Sequence, residues 1–139
     1  MAETKGHNLY VNLPVRDLER SKKFFAALGF SFNPDFTDEK AACMVVSDDV
    51  NVMLLTEPFF KTFMPREVCD TSRHTEAILA LSCGSRQEVD AMVDRAIAAG
   101  GARAMDPMEH GQMMYSWSFY DPDGHHWEVF WMDPNVAQA

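Results

Sequence analysis

The sequence predicts an α+β fold built from one supersecondary unit used twice. Two observations carry that reading. The order strand, helix, three strands occurs in each half of the 139-residue chain, and each half has one amphipathic helix that ends on glycine. A hydrophobic fraction of 47% and a charged fraction of 24% supply core enough for a single domain over residues 1–139. The repeats run over 8–56 and 76–132, joined by an apolar connector over 57–75.

In the first half, Leu9 to Val15 alternates as a strand, with Tyr10 and Asn12 on one face and Val11, Leu13 and Val15 on the other. Asp17 is an N-cap. Leu18, Ser21, Phe24, Phe25 and Leu28 form a helical stripe that stops at Gly29. Phe30 to Phe36 opens a second strand interrupted by Pro34. Ala41 to Ser47 and Val50 to Thr56 flank Asp48-Asp49, a hairpin turn. The connector carries Phe59, Phe60, Phe63 and Met64 between Pro58 and Pro65, and reads either as a short packed helix or as a lid.

In the second half, Glu76 to Cys83 is a strand. Ser85 and Glu88 have capping-box spacing, and Val89, Met92, Val93, Ala96 and Ile97 form the next stripe, ended by Gly100-Gly101. Ala102 to Met108, Met113 to Tyr120 and His125 to Trp131 give three further strands. On the last, His126, Glu128 and Phe130 share one face, and Trp127, Val129 and Trp131 the other. Tyr115, Trp117 and Phe119 oppose Met114, Ser116, Ser118 and Tyr120 on the strand before; alternation alone does not tell which set points inward.

A formal net charge of -9 opposes a nucleic-acid partner or an anionic membrane surface. The opening residues carry no secretory signal, and no apolar run is long enough to span a bilayer. Cys43, Cys69 and Cys83 make no disulfide framework, and together these features point to the cytoplasm. The ends, Met1 to Gly6 and Asn135 to Ala139, are expected to fray.

Two stretches carry a resemblance. Val15-Arg16-Asp17-Leu18-Glu19-Arg20-Ser21 with Phe24-Phe25 and Leu28-Gly29-Phe30 resembles the opening helix of the vicinal-oxygen-chelate superfamily, the glyoxalase, bleomycin-resistance and extradiol-dioxygenase group. Asp121-Pro122-Asp123-Gly124-His125 with Glu128 resembles its final hairpin. Locally that second motif is a turn, since Pro122 presets φ and Gly124 accepts a positive one. The resemblance implies two βαβββ units paired into a half-open curved mixed sheet, a cup that takes a small molecule, and a homodimer.

It also implies divalent-metal positions, which fall on Tyr10, Leu54, Ile78 and Glu128. Of these only Glu128 is a ligand type. A shift of one residue brings in only further apolar side chains; a shift of two brings in Glu76 and Asn12. No metal site and no cofactor are therefore expected. Glu128 becomes the candidate catalytic residue, as a general base. Tyr10, Asn12, Leu54, Thr56, Ile78, His126 and Phe130 are the candidate ligand-binding residues. Three readings stand: a metal-free binding protein suited to a cationic planar drug, a proton-transfer enzyme using Glu128 on a small carbonyl compound, and a glyoxalase I-type lyase with zinc, nickel or iron at displaced ligands.

Overall fold

The computed structural model describes residues 6–135. The fraying expected of the ends falls outside that range, save for Gly6 and Asn135, which are exposed. The chain divides after Val68 into two compact units.

The first unit runs β1 (Leu9–Val15), α1 (Leu18–Ala27), β2 (Ser31–Phe32), a 3-10 turn (Pro34–Phe36), β3 (Ala41–Val45), β4 (Val50–Thr56) and α2 (Glu57–Lys61). Its sheet order is β1-β4-β3-β2, with β1 parallel to β4 and the other pairs antiparallel. The Asp17 carboxylate accepts from the Arg20 amide at 3.1 Å, which starts α1. The stripe of Leu18, Ser21, Phe24, Phe25 and Leu28 is wholly buried. Burying each phenylalanine stabilises the unit by about 1.5–3 kcal/mol. Gly29, at φ +102°, turns the chain out of the helix.

Strand β2 is shorter than the sequence predicts. Asn33 accepts from the Asp35 amide and caps the 3-10 turn that Pro34 begins, so pairing ends at Phe32. Thr37 then donates to the Asn33 carbonyl and accepts from the Cys43 amide, returning the chain to the sheet. Strand β3 ends at Val45 because the Val46 and Ser47 amides both turn onto the Val50 carbonyl. The connector is helical over Glu57–Lys61, packs on β1 and β4, and buries none of its own residues fully.

The second unit runs β5 (Ile78–Ser82), α3 (Arg86–Ala98), β6 (Ala102–His110), β7 (Met114–Tyr120) and β8 (His126–Met132), in sheet order β5-β8-β7-β6 with β5 parallel to β8. Ser85 caps α3 through the Glu88 amide at 3.1 Å, and the Glu88 carboxylate reaches back to the Gly84 amide. Val89, Val93 and Ala96 pack fully buried on one face of the sheet. Behind them the Phe119 and Trp127 rings stack at 6.5 Å. Tyr115 donates to Asp90 of α3 at 2.5 Å. Arg86 lies over the Tyr115 and Trp131 rings and pairs with Glu109. The aromatic face of β7 is thus the helix face.

All three cysteines are free. Among the described residues no helix is long and apolar enough to cross a membrane.

Candidate functional site

The site begins with the turn that sets its register. The buried Asp121 carboxylate accepts from the Asp123 amide, the His125 amide and the Trp127 indole at 2.9–3.0 Å. Burial pushes that carboxyl up, against the charge of His125 and these donors. Gly124 sits at φ +83°, and a Cβ there would meet the Thr71 hydroxyl at 2.6 Å. That hydroxyl donates to the Asp123 carbonyl at 2.5 Å, which ties the turn to the start of the unit.

The turn joins Tyr120 to His126, so Ser118 faces Glu128 and Ser116 faces Phe130. On the other side of β8, Ile78 pairs with His126, Ala80 with Glu128 and Ser82 with Phe130. Three cross-strand rows therefore stand on the face turned away from α3: Ile78, His126 and Tyr120; Ala80, Glu128 and Ser118; Ser82, Phe130 and Ser116. The Tyr120 ring holds His126 edge-on at 5.4 Å. Ser116, 2% exposed, meets His110 at 3.3 Å.

A hollow of about 80 Å³ opens on this face. Ile78, Met105 and Met108 give it apolar walls; Ser118, His126, Glu128 and Asp106 give it polar ones. Strand β6 reaches it where its pairing with β7 shifts register between Arg103 and Met108, around Pro107, which has no amide to donate. Ser118 is 6% exposed. Among the described residues, no protein group hydrogen-bonds the Ser118 hydroxyl or pairs with the Glu128 carboxylate, and neither is a sealed, orphaned atom. Both open into the hollow.

The sequence-predicted residues sort into three groups. Ile78, His126, Glu128 and Phe130 come together on this one face, and all but Phe130 line the hollow. Tyr10 and Asn12 share the exposed face of β1 in the first unit. Leu54 and Thr56 are corrected: they pair in register with Leu13 and Val15, and so lie on the opposite face from Tyr10 and Asn12. Leu54 is fully buried core. Strand β4 enters its pairing one residue out of step with the sequence reading, and one residue reverses a face.

That register also moves one metal position. Met53 stands opposite Asn12 as Glu128 stands opposite Ala80. The two positions of the first unit then hold Tyr10 and Met53, a phenol and a thioether, and those of the second hold Ile78 and Glu128, an aliphatic chain and one carboxylate. Among the described residues no three His, Cys, Asp or Glu side chains gather where they could hold one.

Sequence reasoning left the face of Ser116 and Ser118 open and missed Met105, Asp106 and Met108. The serines had a signal: five residues, 121–125, between Tyr120 and His126 fix which β7 face accompanies Glu128. The β6 residues had none, because bulged strands break alternation.

Comparison with known proteins agrees with this architecture. Residues 8–47 match the family described as bleomycin resistance protein-like N-terminal. No curated protein matches the chain. Among solved structures, a hypothetical protein from S. aureus is 29% identical, with TM-score 0.76 over 91% of this chain and 95% of that one. A glyoxalase/bleomycin resistance protein/dioxygenase family enzyme from Burkholderia phytofirmans PsJN is 18% identical, with TM-score 0.74 over 89% and 97%. The fosfomycin resistance protein FosX from Mesorhizobium loti is 17% identical, with TM-score 0.65 over the whole of both chains. The fold is the glyoxalase/bleomycin-resistance fold.

Proposed function

We infer that this chain, a vicinal-oxygen-chelate protein by its fold and its N-terminal sequence, binds a small molecule on the β5-β8-β7-β6 face without a divalent metal. The observation that carries the reading is the pair Ser118 and Glu128: two polar groups on adjacent strands, turned into an apolar-walled hollow, with no protein partner among the described residues. Buried polar groups ordinarily find partners. Polar groups left open to a hollow are what fixes a ligand's orientation.

Drug resistance is one precedent among the similar proteins. A bleomycin-type cationic drug suits walls that carry Asp106 and Glu128 and no lysine or arginine. Fosfomycin, a phosphonate, does not, since like charges would face each other. The proposal extends to a cytoplasmic homodimer, with nucleic acid opposed by the net charge of -9.

The test is a small-molecule library read through tryptophan fluorescence, since Trp117 lies on β7 between Ser116 and Ser118 of the hollow. Hits should vanish in Ile78→Trp, which blocks the mouth from an exposed position. Hits that survive that block contradict the reading. Stoichiometric zinc, nickel or iron in the purified protein, lost in Glu128→Gln, would contradict the metal-free part.

A second reading is favoured by His126 and Glu128 lining one hollow, a carboxylate and an imidazole available for proton transfer on a small carbonyl compound. It requires turnover by wild type and none by Glu128→Gln.

A further inference from the structure

We propose that the hollow takes the protonated amine head of an organic cation, with Glu128 as its principal counter-charge. This rests on the reading that the hollow holds a ligand, and adds the group that carries the ligand's charge, the side chains that receive it, and its size.

The charge follows from what surrounds Glu128. Its carboxylate is half-buried, and the one basic side chain that shares its hollow is the His126 imidazole, with no lysine or arginine in the lining. Asp106 lines the same hollow, so the walls carry two carboxylates and no lysine or arginine. Two arginines of this unit are engaged with aromatic rings: Arg86 of α3 lies over Tyr115 and Trp131, and Arg103 of β6 over Trp117. An anionic ligand would set a third like charge beside these two. A neutral one would cover Glu128 and leave it without compensation. An ammonium group removes both costs.

The hydrogen bonding agrees. An ammonium has three donors and no acceptor. Glu128 and the lone pairs of the Ser118 hydroxyl accept two, and Asp106 supplies a third acceptor in the same hollow. Ser118 is 6% exposed and has no protein partner among the described residues, so its oxygen is held for the ligand. Ser116 is not equivalent, because it already meets His110.

The size follows from the volume. About 80 Å³ is well below the roughly 300–1,000 Å³ of pockets that enclose drug-sized molecules. The hollow therefore takes a head group. Ile78 and the flexible thioethers of Met105 and Met108 receive the first carbons attached to it.

The experiment compares three probes of one chain length, n-butylammonium chloride, butan-1-ol and sodium butyrate, by calorimetric titration at low ionic strength. Butylammonium should bind tightest, and added salt should weaken it. Glu128→Gln, which keeps the side chain's size, should weaken butylammonium at least about tenfold and leave butanol unchanged. Asp106→Asn, at an exposed position, should weaken it by about two- to five-fold. Thermal melts of both variants check folding. Butyrate or butanol binding as tightly as butylammonium, or an unchanged Glu128→Gln, overturns the charge assignment and leaves the binding site standing. If none of the three probes binds and the library gives no hits blocked by Ile78→Trp, the site itself falls.

Discussion

Gly124 meets two constraints at once, a positive φ and the Thr71 side chain against its α-carbon. Gly124→Ala should cost about 2–3 kcal/mol in chemical denaturation, combining left-handed backbone strain with a clash that moves Thr71. A loss below about 0.5 kcal/mol, the range of indifferent surface changes, would mean the turn is not built this way. Tyr115 gives a residue-scale prediction in pH. Desolvation, and then its bond to Asp90, push its phenol up to about 12 from an ordinary value of 10.0. The folded pKa lies above the unfolded one, so the contribution is full below pH 10 and is lost as pH rises toward 12. Absorbance at 295 nm should show a tyrosine phase near pH 12 that disappears in Tyr115→Phe. A titration that Tyr115→Phe leaves unchanged would contradict the assignment.

Faces of strands, not their positions, decide the site at the scale of elements. Leu54 and Asn12 lie on adjacent strands of one sheet but on opposite faces, the first fully buried and the second exposed. Leu54→Ala should therefore cost about 2–5 kcal/mol, and Asn12→Ala no more than about 0.5 kcal/mol. Similar costs in urea titrations would restore Leu54 to the ligand face. The helices were legible because each signal was redundant: Asp17 and Ser85 at the starts, apolar stripes along the length (all buried in α1; in α3 Val89, Val93 and Ala96 are buried and Ile97 is exposed), Gly29 and Gly100 at the ends. Strand β2 was less legible, because the Asn33 cap and Pro34 favour a local turn over pairing, and local and sheet bonds compete for the same amides. On β4 every residue from Val52 to Leu55 is apolar, so alternation offers no parity and the register had to come from the structure.

For the molecule as a whole, the α+β class was legible because a strand, a capped helix and a glycine stop recur in the same order in both units. In each unit the first strand pairs parallel with the last, β1 with β4 and β5 with β8. The site was only half legible. Glu128, His126 and Ile78 followed from strand alternation, but Met105, Asp106 and Met108 reach the hollow through a register shift that no sequence period records. The claim beneath the functional reading is that ligand is held on the sheet face turned away from α3, around Ser118 and Glu128. Residue-resolved amide NMR of the labelled protein, titrated with the first ligand the library yields, tests it most directly. Shifts should concentrate at residues 78–80, 105, 106, 108, 116–118 and 126–128. Shifts that fall on the outer surfaces of α1 or α3, with 126–128 unmoved, would contradict it.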